Sequence, residues 1–154
     1  MTNEELKQRI AQLCADAVCT DTQDYVLAEI PANSLFAVAK QLQEQPDTQF
    51  DYLYSLTGVD YNPELGVVYH LESTTLHHKI TLVAKTADRE NARLDSVCEL
   101  WKTAELQERE VYDLLGITFN NHPDMRRLLL DEEWHGHPLR KDYSNPQLIV
   151  DLIK

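Results

Sequence analysis

The stretch Glu108–Tyr143, EREVYDLLGITFNNHPDMRRLLLDEEWHGHPLRKDY, decides how this chain is read. Up to Leu115 it continues a helical spacing of apolar residues. Beyond Gly116 it follows neither the 3.6-residue period of a helix nor the alternation of a strand. Charges, Trp134, three histidines and two His-Pro steps, His122-Pro123 and His137-Pro138, crowd a segment that has little core of its own. The residue before each proline is turned away from helix, and Met125–Leu130 is long enough for a short helix at most. A segment of this kind is built to dock onto something.

Upstream of it, Leu94, Val97, Trp101, Ala104, Glu108, Tyr112 and Leu115 recur with helical spacing, as one helix or two with a break. Gly116 stands where a C-terminal cap glycine belongs. Glu108 falls on the apolar line, where a carboxylate needs a partner, and an arginine from the segment beyond is the expected one. Further upstream, Phe50–Tyr61, Val67–Leu71 and Leu76–Lys85 read as strands joined by short connections, an antiparallel meander. Leu35, Val38, Ala39 and Leu42 mark a helix capped by Asn33 or Ser34, and Tyr25–Ile30 a strand that Pro31 stops. Thr2–Val18 reads as a first helix with a Leu6, Ile10, Leu13, Ala17 stripe and a Thr2/Glu5 capping box. The fold class that follows is α+β: a small, mainly antiparallel sheet of about four strands packed against helices, with an extended irregular C-terminal docking segment. The expected division is a globular domain over residues 1–119 and the docking segment over 120–154, ending in a brief apolar stretch, Gln147–Ile153.

Composition narrows the function classes. A net charge of −12 argues against phosphate-backbone binding, so no nucleic acid is expected as a partner. Residues 1–100 carry 7 basic and 16 acidic side chains, whereas residues 101–143 carry 6 and 9, close to balanced and interleaved. Interleaved charge suits specific ion pairs. No run is long and apolar enough to span a membrane. The N-terminal MTNEELKQRIAQLCADAVC, charged and amphipathic, does not read as a secretory signal. Cys14, Cys19 and Cys98 lack a C-x-x-C and fall short of the four thiolates of an iron–sulfur cluster, so free thiols of a reducing compartment are expected.

No Gly-rich phosphate loop, dinucleotide fingerprint or Gly-x-Ser-x-Gly elbow is present. Glu108 and Glu110 diverge by about 200° on a helix and do not form a catalytic carboxylate pair. His122, His135 and His137 are the one set that invites a metal, and with it an autonomous metal-dependent enzyme. Against it stand the turn setting of the His-Pro steps and the lack of a His-Glu-x-x-His motif. Arg126-Arg127 and Arg140-Lys141, beside Trp134, fit an interface better, because guanidinium pairs bidentately with carboxylates and stacks on rings.

At these residues the chain resembles the C subunit, or 30 kDa subunit, of the proton-translocating NADH-quinone oxidoreductase (respiratory complex I). The resemblance rests on Glu108-Arg109-Glu110, Tyr112-Asp113, Gly116, His122-Pro123-Asp124, Arg126-Arg127 and Gly136-His137-Pro138-Leu139-Arg140-Lys141-Asp142-Tyr143. Met125 and Ser144 depart from it, at positions where leucine and proline are usual. Some relatives continue beyond this module into a fused D subunit.

The resemblance implies a non-catalytic structural subunit of the hydrophilic arm. Such a component binds no cofactor or metal itself, while the parent complex carries NADH, FMN, iron–sulfur clusters and quinone. It implies contact with the D subunit and neighbouring arm subunits, and a peripheral place on the cytoplasmic side of the inner (plasma) membrane. The expected partner-interface residues are Glu108, Arg109, Glu110, Asp113, His122, Asp124, Arg126, Arg127, Trp134, His137, Arg140, Lys141, Asp142 and Tyr143. The same module in a membrane-bound hydrogenase or another donor-specific dehydrogenase is the alternative.

Overall fold

The structure is a computed structural model that describes residues 1–22 and 25–144. The predicted apolar stretch Gln147–Ile153 lies outside the described residues. Three helices, α1 (Asn3–Leu13), α2 (Leu35–Glu44) and α3 (Ala104–Leu115), accompany seven strands: β1 (Val18–Asp21), β2 (Val26–Pro31), β3 (Tyr52–Asp60), β4 (Leu65–Glu72), β5 (Lys79–Thr86), β6 (Arg93–Asp95) and β7 (Thr118–Asn120). The main sheet runs β1-β2-β5-β4-β3, and β6 pairs with β7 in a second, two-stranded sheet. The α+β class and the antiparallel β3-β4-β5 meander are as expected. The sheet gains a fifth strand, and β2 joins β5 in parallel, Val26 opposite Ile80 and Ile30 opposite Ala84.

Alternation sets the inner face. Val26, Ala28 and Ile30 on β2, Ile80, Leu82 and Ala84 on β5, and Leu65, Val67, Tyr69 and Leu71 on β4 are all buried. The residues between them face away; Leu27, Glu29, Val68 and His70 are wetter, while Thr81 and Val83 of the central strand β5 stay buried on that side too. The helices cover this inner face with Leu6 and Ile10 of α1, Leu35, Val38, Ala39 and Leu42 of α2, and Val111 and Leu115 of α3. Gly58 of β3 lets α3 come close: a Cβ there would lie 2.4 Å from Leu115 Cδ1 and 2.9 Å from Val111 Cγ1.

Three local expectations are corrected. The first helix ends at Leu13 rather than Val18, since Val18–Asp21 pairs with β2 as an edge strand. Leu94 lies on a strand, with Phe119 opposite it, and only the stretch from Ala104 is α-helix. Ser34 makes no side-chain cap for α2, which follows a 3-10 turn at Ala32–Ser34. The Thr2/Glu5 capping box is present in both directions.

Candidate functional site

Helix α3, AELQEREVYDLL, opens with seven strong helix formers, Ala104–Glu110. It ends at Gly116, whose φ of +73° glycine adopts without cost. Every helix leaves its last four carbonyls without intrahelical donors. Here the Gly116 amide takes the Tyr112 carbonyl, and the returning segment supplies donors to the other three. The Asp113 carbonyl accepts from His137 Nδ1 at 3.0 Å and from Arg127 Nη1 at 3.0 Å. The Leu114 carbonyl accepts from the Leu139 amide at 3.0 Å. The Leu115 carbonyl accepts from Arg140 Nε at 2.6 Å, and that of Gly116 from Arg140 Nη2 at 3.4 Å. Two guanidinium groups thus sit where the helix dipole is negative. Gly116 is also a matter of space, since a Cβ would lie 2.5 Å from His137 Cδ2.

Asp113 is the hub. A carboxylate near a helix C-terminus is repelled by the dipole and here is fully buried, so it needs strong donors. Its Oδ2 accepts three consecutive amides, Leu128 at 3.1 Å, Leu129 at 2.7 Å and Leu130 at 2.9 Å. Its Oδ1 accepts Arg127 Nη1 at 2.7 Å. Burial alone would raise this carboxyl; the three amides and Arg127 outweigh it and hold it below the usual carboxylate range. Arg127 then reaches the carbonyls of Trp134 and Gly136 at 2.8 and 3.0 Å. Arg109, one turn up the helix, donates to the carbonyls of Arg126 and Arg127 at 3.2 and 2.9 Å. Burial, with Arg140 and Arg127 close by, keeps the His137 imidazole below its ordinary pKa, so Nδ1 donates from a neutral ring.

Glu108 corrects the sequence reading. Its donors are not arginine but the turn before α3: Ser96 Oγ at 2.7 Å, the Val97 amide at 2.8 Å and Cys98 Sγ at 3.2 Å. The end of β6 sets that turn, and its contact with α3 is tertiary, so no local spacing announces it. Burial raises the Glu108 carboxyl despite these donors, and burial pushes the Cys98 thiol up to about 12, leaving it a donor. His122 closes the group, with Nε2 3.9 Å from Glu108 Oε2.

Cys98, Glu108 and His122 place one ligand atom each within 4.8 Å of one another, a spacing a metal could use. However, His122 Nε2 donates to the Glu105 carbonyl at 2.9 Å and Nδ1 accepts the Asp124 amide at 3.0 Å. Both carboxylate oxygens are also taken. The arrangement is a closed hydrogen-bond network. The histidine set suggested by sequence does not converge: His122 meets the helix at Glu105 and His137 at Asp113, about 12 Å further along at 1.5 Å per residue, while His135 is exposed.

The remaining interface candidates also engage this chain. Asp124 holds Arg126 Nε at 2.9 Å. Asp142 pairs with Arg89 at 3.1 Å, and the Lys141 amide donates to Asp60 Oδ2 at 2.9 Å. The Tyr143 hydroxyl reaches the His135 carbonyl at 3.4 Å. The half-buried Trp134 encloses its indole Nε1, which has no acceptor among the described residues. Glu110, exposed on α3, and the exposed Lys141 ammonium likewise have no side-chain partner among the described residues.

Asp60 and Arg89 were not singled out from the sequence. The Arg89 guanidinium grips both Asp60 oxygens at 2.8 Å and holds that carboxyl well below the usual range. An inward aspartate at the end of an alternating strand is the one signal that could have found the pair.

Known sequences place the family, and a solved structure the fold. Residues 28–147 match the family described as respiratory-chain NADH dehydrogenase, 30 kDa subunit. The C/D subunit of NADH-quinone oxidoreductase from Phocaeicola vulgatus is 51% identical over 117 residues, covering 75% of this chain and 22% of that one. The C subunit of the same enzyme from Chloroherpeton thalassium is 48% identical over 110 residues, covering 70% of this chain and 45% of that one. The chain thus spans less than half the length of these two relatives. The C subunit from Citrifermentans bemidjiense is 37% identical over 142 residues, covering 90% of this chain and 85% of its own. Among solved structures, a chain of the membrane-bound sulfane sulfur reductase, an archaeal respiratory membrane complex, superposes with a TM-score of 0.79 over 97% of this chain and 89% of that one, at 24% identity; that likeness speaks to the fold. With the family match spanning most of its length, the chain belongs to the 30 kDa subunit family of respiratory-chain NADH dehydrogenases, the C subunit of NADH-quinone oxidoreductase.

Proposed function

We propose that the chain is a structural subunit of the hydrophilic arm of an NADH-quinone oxidoreductase and works by contact with the D subunit. It leaves NADH, FMN, iron–sulfur and quinone chemistry to its neighbours, and it sits peripherally on the cytoplasmic side of the membrane. The observation that carries this reading is that relatives from Phocaeicola vulgatus and Bacteroides fragilis bear the name C/D, one chain with both subunits in its name. Joining two modules in one chain raises their effective concentration and is useful where they touch.

The geometry supports a docking role of a particular kind. The polar signature holds the shape of segment 121–144, and Leu128, Leu129 and Leu139 face out. Leu129 is 64% and Leu139 60% exposed although their amides are fixed on Asp113 and Leu114. Apolar side chains displayed on a fixed backbone lose little entropy on binding. The polar residues of the segment therefore serve the interface mainly by shaping it, with Trp134 and the exposed leucines meeting the partner.

The test is a mild-detergent affinity purification of the tagged chain from its own membranes, with partners identified by mass spectrometry. Recovery of the D subunit and iron–sulfur subunits is expected; recovery of the chain alone would contradict the reading. Trp134→Ala and Arg126→Ala are expected to lower that recovery while leaving the chain folded. A hydrogenase-like parent complex would show itself in the same experiment by its electron-input subunits, since the fold does not select the donor.

A further inference from the structure

The outer face of α3 carries a feature the family reading does not use. Leu106, Glu110 and Leu114 recur every four residues and so line one face of the helix. Leu106 is 56% exposed. Leu139 is pinned beside Leu114 by its amide, and its side chain stands out in solvent. Between this face and β3 lies a cleft of about 60 Å³ lined by Leu56, Thr57, Gly58, Glu110, Val111, Leu114, Leu115 and Leu139. That is far below the roughly 300 Å³ at which small-molecule sites begin, yet it gives room to the end of one side chain.

Among the described residues, Glu110 is the only charge on the cleft wall. Its helix neighbours are satisfied within the chain: Glu108 by the Ser96–Cys98 turn, Arg109 by two carbonyls, Asp113 by Arg127 and three amides. Glu110 is left over, between the exposed Leu106 and Leu139 and the half-buried Leu114. An apolar partner surface closing over these leucines would strip water from the carboxylate, at a cost that only a cation or strong donor offsets.

We infer that the Leu106–Glu110–Leu114 face of α3, with Leu139, is a docking site for a lysine or arginine carried on an apolar segment of the neighbouring subunit, its charge paired with Glu110. This rests on the structural-subunit reading above and adds to it the chemistry of the partner's contact. The leucines supply area; Glu110 supplies selection, since a neutral or acidic partner segment would leave a buried carboxylate unpaired.

The experiment uses the full tagged chain in its own membranes and measures the D subunit retained per tagged chain as salt is raised. Compared with wild type are Glu110→Lys, Glu110→Gln and, as a control of equal charge change, Glu44→Lys on the exposed part of α2. Charge reversal at a closed interface is costly, so Glu110→Lys is expected to retain about tenfold less or worse. Glu110→Gln is expected to retain severalfold less and to lose much of the salt dependence, and Glu44→Lys to behave as wild type. Melting of each purified variant separates docking from folding. Should Glu110→Lys fold poorly, the isosteric Glu110→Gln decides by its salt profile. Wild-type retention in both Glu110 variants would overturn the inference while leaving the structural-subunit reading intact. Equal loss in Glu44→Lys would overturn it too, as a general charge effect. Absence of the D subunit with the wild-type chain would overturn the reading and the inference together.

Discussion

The body of the molecule and the segment that returns onto it are held by different physics. In the body, Leu6, Ile10, Val26, Ile30, Leu42, Phe50, Tyr69, Ile80 and Leu82 lie at 2% exposure or less, and each such side chain contributes roughly 1.5–3 kcal/mol by leaving water. Between Asn121 and Ser144 no residue is buried as a whole, and Met125 is the apolar residue that rests partly on the core. That segment is fixed mainly by directed bonds at one helix end: Arg127, His137, Leu139 and Arg140 to carbonyls, and the amides of residues 128–130 to Asp113. Apolar burial is spread over many residues and tolerant; the polar latch is concentrated and can be undone at single atoms. A segment held this way leaves Leu129 and Leu139 exposed.

The largest expected effect is Asp113→Ala. It strands Arg127 and three amides, and removing one partner of a buried ion pair costs about 3–5 kcal/mol. Hydrogen exchange should then show segment 128–139 unprotected while β2, β4 and β5 keep their protection; loss of both together would erase the distinction between the regions.

Acid attacks the same latch from solution. Asp113 and Asp60 titrate below the ordinary carboxylate range, so the stability they contribute is complete above about pH 4 and is lost as pH falls through their folded values. Glu108 runs the other way: its raised folded value favours the fold most below the ordinary carboxylate range, and that contribution declines as pH rises through it. Acid is therefore expected to free the returning segment before the body, seen as proteolysis beyond Asn121 with the sheet's circular dichroism retained.

Gly116→Ala comes next. Left-handed backbone costs a non-glycine residue about 1–2 kcal/mol, and the new Cβ must also displace His137; a lowered melting temperature and weaker protection at Leu139 check this. Glu108→Gln keeps the shape, and the Ser96 hydroxyl can turn to accept, so a loss of about 1 kcal/mol is expected by denaturant unfolding, together with a flatter pH profile above pH 4. Smallest is Leu139→Ala, whose 60% exposed side chain should change stability by under about 0.5 kcal/mol while lowering retention of the D subunit.

The two regions also differ in how far the sequence discloses them. Helix α2, the β3-β4-β5 meander, the Thr2/Glu5 box and the Gly116 cap rest on local periods and local turn chemistry, and all can be read off directly. Strands β1 and β6 and the parallel β2–β5 pairing depend on partners far along the chain, so Ala17 and Leu94 pass for helix by spacing alone. At the site, the cluster of signature residues is legible as a cluster, but its direction is not. Whether Arg127 faces a neighbour or Asp113 fourteen residues earlier depends on the path of the backbone, and so does the choice of Ser96 over an arginine for Glu108. Asp60 and Arg89 meet Lys141 and Asp142 only because the end of β3 and the returning segment share one edge of the body.

The decisive measurement is residue-resolved hydrogen exchange on the full-length wild-type chain without partners, at neutral pH, beside Asp113→Ala. If the end of α3 holds the returning segment, the Leu128, Leu129, Leu130 and Leu139 amides will be protected in wild type and released in the variant, with the sheet unchanged. Exchange of those four amides at the rate of an unfolded chain in wild type would show that the latch does not form by itself and would contradict this explanation of the signature.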